Sequence, residues 1–494
     1  MDTLAGILVL LIIVLFLMIE IPNALESMWR NFLHTPLLNK LLIILLAIAV
    51  ITFIIWLIFR SKPIRGLKHG PRFTTRAKSQ DGIVVGSYDT DVLPKHVRQY
   101  VPYSTAPVII PYNLLSRGVT VLGSMGCGKS RLMRSIHDKI RDRYPDIPIL
   151  INDPKGEWLR TYYNPETDLI FAPNDKRSCG WKIWEDFKLR PELKQSMLST
   201  AITAHSSPTN NERFWTDAAE MLLKDVTTDT TPEQARDLLL NKKESKSQDK
   251  TFLSIYSTAL IGFRDIIATE LGSRRSDRSF TIKQLLDWKG RIFLLNSPVC
   301  AEEQRGPLTL MLSAFLMETL LRPDVPEGEL TAAAIIDEAL NFNLPPDVER
   351  AIFTQSRSKG VAIIAGAQRL PNIRHGERGE WSVQAGHLFG MRTGDLDTRQ
   401  ALSERLGNII YEEEQNSTTD SHGHTSTTKT ITRIDHHAVA PADFGALKNR
   451  EFVLFHEHGI AVGTTADVPG EQQDINVFSY DPRDDVHDFM RILL

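Results

Sequence analysis

Cysteine is scarce. Cys127, Cys179 and Cys300 are odd in number, widely separated and never paired as C-x-x-C, which excludes a disulfide framework and makes a reducing compartment the simplest setting. Strong charge of one sign is also missing, because 57 basic side chains stand against 60 acidic ones for a formal net charge of -3. A surface basic throughout is thereby excluded, and any contact with nucleic acid has to come from a local patch or an assembled channel. His422, His424, His436 and His437 lack the ligand spacing and the thiolates of a zinc site. No Leu-Ser-Gly-Gly-Gln signature occurs, which disfavours an ABC-type transporter.

What the chain does contain is a complete phosphate-binding loop. Gly123-Ser124-Met125-Gly126-Cys127-Gly128-Lys129-Ser130 fits G-x-x-x-x-G-K-[ST]. It follows the β-branched run Gly118 to Leu122 and opens a stretch, Arg131 to Tyr144, in which Leu132, Met133, Ile136 and Ile140 recur at helical spacing. Strand, tight turn and helix are the setting the motif requires. Its glycines let backbone N–H groups wrap a triphosphate, the helix start adds positive potential, and Lys129 reaches the outer phosphates. Gly123 to Ser130, with Arg131 behind them, are the expected nucleotide contacts, and Ser130 has the hydroxyl that Mg²⁺ needs. Cys127 is read as a small residue tolerated at a variable position.

The N-terminus reads as a membrane anchor. Leu4 to Ile19 is apolar, and Leu41 to Phe59 is an uncharged run between Lys40 and Arg60, close to the roughly 20 residues a helix needs to cross a bilayer. A cleaved signal peptide fits the first run poorly, since Met1-Asp2-Thr3 is not basic and no small-residue cleavage site follows Glu20. Arg60, Lys62, Arg65, Lys68, Arg72, Arg76 and Lys78 crowd behind the second run without an acid, which places both termini in the cytoplasm.

The remainder alternates strand and helix. Gly82 to Gly86 and Ala106 to Ile110 suit edge strands, while Pro148 to Asn152 and Asp168 to Ala172 read as buried strands joined through Asp153-Pro154-Lys155-Gly156-Glu157. From Trp184 to Leu271 helical pattern takes over: Phe214, Ala218, Met221 and Leu222 are expected on one inner face, and Phe252, Tyr256, Leu260 and Phe263 on another. Arg274, Arg275 and Arg278 form a basic tip that is either a phosphate contact or a solvated loop. The sheet resumes at Gly290 to Asn296. Thr331 to Ile336 then ends in Asp337-Glu338, two carboxylates at the sheet edge where ligands bind. Asp337 is assigned to the Mg²⁺ shell opposite Ser130, and Glu338 to the water that attacks the γ-phosphate. Val361 to Ala367 delivers Gln368 to the same edge as a phosphate sensor, while Arg357 suits a clamp on a neighbouring protomer's nucleotide. Glu412 to Lys429 is a polar tract, a loop or exposed hairpin, and Phe452 to Gly463 is expected to close the sheet as a hairpin.

Two N-terminal spans, a P-loop, a helical insertion, an Asp-Glu strand, and then an arginine and a strand-end glutamine resemble the type IV coupling proteins of the TraD and TrwB kind over nearly the whole chain. Asn152 to Glu157, Phe214-Trp215-Thr216-Asp217-Ala218-Ala219 and the Ser/Thr-rich tract add to the likeness. The resemblance implies an α/β fold: a RecA-like P-loop NTPase domain carrying an all-helical insertion and preceded by two transmembrane helices. The expected boundaries are 1–60 for the anchor, 61–183 and 272–494 for the RecA-like domain, and 184–271 for the insertion. It also implies an ATPase using ATP and Mg²⁺ in the bacterial inner membrane, multi-pass with its bulk cytoplasmic. Its expected partners are single-stranded DNA, a relaxase and type IV secretion channel components, and it is expected to assemble as a homo-hexamer. Lys129 and Ser130 carry over to nucleotide and Mg²⁺, Asp337 and Glu338 to metal and water, Arg357 to the finger and Gln368 to the sensor. Met125 and Cys127 depart from the small residues many members have there, and the long C-terminal extension of some members has no counterpart. A nucleotide-switched docking receptor for relaxase or effector proteins shares these motifs, as does a chromosome-segregation pump.

Overall fold

The computed structural model describes residues 67–494 apart from 75–80, 102, 206–212, 298, 372–378, 422–423 and 467–471. The two expected transmembrane helices lie outside the described residues. Within them, one helix, Lys250–Arg275, is long and apolar enough to cross a membrane. It serves instead as a packing helix, with Phe252, Tyr256, Phe263 and Ile266 buried along one side.

The strands in chain order are β1 (Leu67–His69), β2 (Gly82–Tyr88), β3 (Pro107–Pro111), β4 (Val119–Leu122), β5 (Ile149–Asp153), β6 (Leu169–Phe171), β7 (Gly180–Trp181), β8 (Ser279–Phe280), β9 (Arg291–Leu295), β10 (Ala332–Ile336), β11 (Val361–Ala367), β12 (His387–Met391), β13 (Asn408–Ser421), β14 (His424–His437), β15 (Glu451–His456) and β16 (Gly459–Thr465). Eleven of them form one sheet in the order β3-β2-β16-β15-β12-β4-β11-β10-β5-β9-β6. From β12 to β6 every neighbour is parallel, and from β12 to β3 every neighbour is antiparallel. The parallel half follows from composition. Each of β4, β5, β10 and β11 is buried at every position, as a strand covered on both faces must be, and each is a run of Val, Ile, Leu and Ala with polar residues only near its ends.

Two outcomes differ from the sequence reading. The hairpin β15–β16 does not close the sheet: β2 pairs onto β16 through Gly463↔Tyr88 and Thr464↔Ser87, so the hairpin is internal and β3 is the edge. The second difference is smaller: of the two forms expected for the polar tract it takes the hairpin, β13 antiparallel to β14, and the pair is extended by β1 into a sheet of three strands.

Between Ile183 and Arg275 the described residues hold five helices and no strand: Ile183–Leu189, Pro191–Thr203, Arg213–Thr227, Pro232–Ser245 and Lys250–Arg275. Thr231 opens the fourth with a reciprocal capping box to Gln234, which satisfies N–H groups that would otherwise lack partners. In the third, the inner face is Ala219, Leu222, Leu223 and Val226, while Phe214 and Met221 are exposed. The expected grouping of Phe214 and Met221 with Leu222 was displaced by about one residue of helical phase, roughly 100°.

Candidate nucleotide-binding site

The P-loop leaves the carboxyl end of β4 and enters the helix Lys129–Arg143. Neighbours on both sides pin it. Gly123 N–H donates to the Ala367 carbonyl at 3.1 Å, Ser124 N–H to Arg392 at 2.8 Å, and Arg450 N–H to Cys127 at 2.8 Å. Gly394 N–H donates to the Ser124 hydroxyl at 2.9 Å. Gly126 and Gly128 take φ of 75° and 109°, values that favour glycine. A Cβ at Gly126 would meet nothing within 4 Å, whereas one at Gly123 would lie 2.6 Å from Cys127 Sγ. The loop therefore faces open space at Gly126 and is tight at its base. Gly128, at the helix N-cap, supplies no side-chain cap, and the helix start turns its positive end toward the loop. Met125 is exposed and Cys127 is fully buried, its thiol pushed above the usual range by burial. Cys127 belongs to the packing beneath the loop, which is the bland role the sequence suggested.

Lys129 is buried and its ammonium donates to the carbonyls of Gly123 at 2.7 Å and Ser124 at 3.4 Å. Ser130 Oγ donates to Asp337 Oδ2 at 3.1 Å. The parallel register brings this about: β10 lies two strands from β4 with β11 between them, so the strand carrying the acids ends level with the loop. A hydroxyl beside a carboxylate at a P-loop is a donor set that fits Mg²⁺, completed in such sites by phosphate oxygens and waters. Open cradle, uncapped helix start, buried lysine and Ser130–Asp337 pair together fit a magnesium nucleotide.

Glu338 follows in the left-handed region, at φ 59° and ψ 58°, where a non-glycine residue is uncommon and functional sites are over-represented. Its Oε1 accepts from Gln368 Nε2 at 3.0 Å and lies 3.9 Å from Lys155 Nζ. Gln368 thus reaches the site from β11, as its position at the strand end suggested. Arg131 sits exposed one residue beyond Ser130 on the helix. Arg357 is elsewhere. It precedes β11, at the amino edge of the sheet, and pairs with Glu327 at 3.0 Å, so this protomer does not bring it to its own phosphate loop.

Three participants carry no weight in the P-loop pattern. Asn152, next to last in β5, donates its amide to the Asp337 carbonyl. Asp153 is buried beside it, accepting from Leu159 N–H at 2.8 Å. Burial, helped by the nearby Asp337 carboxylate, pushes its pKa from 3.8 up to about 6. Lys155 is the third. The signal for all of them was a polar run ending an apolar strand, while their partners lie far along the chain. Arg274, Arg275 and Arg278 are committed elsewhere, to Glu233 at 2.7 Å, to Asp481 at 2.6 Å, and over the Trp288 ring.

Residues 102–254 match the family described as the type IV secretion-system coupling protein DNA-binding domain. Over that span the chain is similar to the type IV coupling proteins. Over 93 residues it is 32% identical to the coupling protein TraD of Escherichia coli (strain K12), a match covering 19% of this chain and 12% of that relative's length. Among solved structures, the bacterial conjugative coupling protein TrwBdeltaN70 in its unbound form superposes with a TM-score of 0.62 at 17% identity, covering 85% of this chain and 98% of that one. The plasmid coupling protein TrwB in complex with ADP and Mg²⁺ gives 0.58 at 17% identity over 86% and 97%. At that identity the structural likeness is one of fold, the α/β P-loop fold of the coupling proteins.

Proposed function

We propose that this chain is a membrane-anchored, ring-forming ATPase that couples or pumps DNA, with its attached relaxase, into a type IV secretion channel during conjugation. The observation that carries the reading is the convergence of Lys129, Ser130, Asp337, Glu338 and Gln368 on the carboxyl edge of β4, β10 and β11. The coupling-protein family match and the nucleotide bound by TrwB support the same site as a nucleotide site.

In this reading ATP is the substrate and lies along the loop from Gly123 to Arg131, its outer phosphates on Lys129. Ser130 and Asp337 would hold Mg²⁺, which would supply neutralisation of the phosphate charge that builds during transfer. Glu338 accepts the proton of the attacking water through Oε2, because Oε1 is engaged by Gln368 and Lys155. Gln368 links that carboxylate to the end of β11 and registers loss of the γ-phosphate. Arg357, on the opposite edge of the sheet, serves the next protomer's nucleotide in a homo-hexamer. The helical segment 184–271 and the RecA-like parts 61–183 and 272–494 are the working domains, and residues 1–60 anchor them in the inner membrane.

The test is hydrolysis of ATP by the detergent-extracted full chain, with and without single-stranded DNA, at concentrations that allow rings to assemble. DNA-stimulated turnover is expected, and no turnover would overturn the reading. Glu338→Gln then separates a motor from a docking receptor switched by nucleotide. The substitution abolishes DNA transfer between cells in the first case and spares it in the second.

A further inference from the structure

We propose that Lys155 is a positioning residue for Glu338, and that the C-terminal segment 472–494 is the strap that sets Lys155 in place by seating Val477 against Gly156. This rests on the reading of Glu338 as the group that polarises the attacking water.

The turn after β5 has to aim two neighbouring side chains in different directions. Lys155 goes to Glu338 Oε1 at 3.9 Å, and Glu157 goes to Arg134 on the P-loop helix at 3.0 Å. Gly156 between them makes this possible with φ 68°, and a Cβ there would lie 2.0 Å from Val477 Cγ1. Val477 therefore fills the space a side chain would take, and the turn cannot relax in that direction without displacing it. Such a contact is useful only if Val477 is itself held, and its flanks are fixed on both sides.

Upstream, Gln473 N–H donates to the Arg160 carbonyl at 2.8 Å. The Arg177 guanidinium donates to the carbonyls of Asn476 at 2.7 Å and Val477 at 3.0 Å, and Asp175 clamps that guanidinium at 2.7 Å. Downstream, Ser479 N–H donates to the buried Asp175 carboxylate at 2.8 Å, and Asp481 N–H donates to the Asn174 carbonyl at 2.8 Å. The strap then crosses to the helices. Arg275 pairs with Asp481 at 2.6 Å and Asp485 at 3.2 Å. Lys243 Nζ and Tyr256 Oη donate to the Leu493 carbonyl at 2.8 Å and 3.2 Å, and the Leu493 side chain is fully buried. One segment thus touches the turn that carries Lys155 and the helical segment at its other end.

The Lys155–Glu338 pair is half exposed on the lysine side, so its worth to stability is small. Its effect is geometric. With Gln368 and Lys155 both on Oε1, the carboxylate is held in one orientation, and a displacement of about 1 Å in such a group costs as much as a hundredfold in rate.

The experiment compares wild type, Lys155→Met, Lys155→Arg and Val477→Ala in the detergent-extracted full chain, measuring kcat and KM for ATP. Backbone hydrogen exchange between residues 153 and 160 is followed in parallel. In Lys155→Met, kcat falls about tenfold or more while KM stays within about twofold, and Lys155→Arg recovers part of the loss. Val477→Ala lowers kcat in the same direction and speeds exchange in the turn. Unchanged kcat in Lys155→Met, or a loss appearing as KM alone, overturns the role of Lys155. Exchange unchanged in Val477→Ala overturns the strap. Should wild type not turn over at all, the ATPase reading fails, and the exchange measurement still decides whether Val477 holds the turn.

Discussion

Asp153 carries a charge problem that its position makes unavoidable. It ends β5 inside the sheet, next to Asp337, and burial together with that carboxylate raises its pKa from 3.8 to about 6. The folded chain therefore keeps a proton between about pH 4 and 6 that the unfolded chain has released, so the Asp153 contribution to stability is greatest below that window. It declines as pH rises through it and stays low above it. Asp153→Asn removes the decline. Compared without nucleotide, the variant gains on wild type across the window by up to about 3 kcal/mol. Thermal melting of both chains from pH 4 to 7 checks this, and a melting difference that stays flat contradicts it. Among single residues, the positions of Lys129 and Ser130 were legible from the fixed spacing of the P-loop and that of Asp337 from the end of an apolar strand. Lys155 was not, because what gives it a role is Glu338, far along the chain and reached only once β5 and β10 pair in register through Ile336↔Asn152.

Among the elements, the helices Lys250–Arg275 and Ala301–Leu320 meet where Gly306 faces Asp265. Asp265 is fully buried and is joined by His205 Nε2 at 2.7 Å, and a Cβ at position 306 would lie 1.7 Å from its Oδ2. Gly306→Ala has to push that carboxylate off its partner, with an expected loss of about 1–3 kcal/mol seen as a lower melting temperature. A variant that melts with wild type contradicts the packing. Continuous apolar runs announced the parallel strands directly, since burial on both faces leaves no other composition. Helical faces were harder. In Arg213–Thr227 both sides carry large apolar residues, so spacing alone did not distinguish buried Leu222 and Leu223 from exposed Phe214 and Met221.

At the scale of the molecule, the order of strands is what assembles the site, and it was the least legible feature. β4 lies between β11 and β12, both more than 200 residues later, and no local pattern encodes such a neighbour. The same holds for β2, whose pairing with β16 moves the final hairpin from the edge into the interior of the sheet. Long-range order also sets the route between the site and the helices. If 472–494 carries that connection, Arg275→Ala, which removes the Arg275 pairs with Asp481 and Asp485, leaves basal ATP hydrolysis within about twofold and removes most of its stimulation by single-stranded DNA. Full stimulation in the variant would place the connection elsewhere.

The central claim is that a magnesium nucleotide lies between the Lys129 loop and Asp337. Titration of a fluorescent ATP analogue into the detergent-extracted full chain and its Lys129→Ala variant, each with and without Mg²⁺, tests it most directly. The expected result is Mg²⁺-dependent binding that weakens about tenfold or more in Lys129→Ala; equal binding by both chains, or none by wild type, would contradict it.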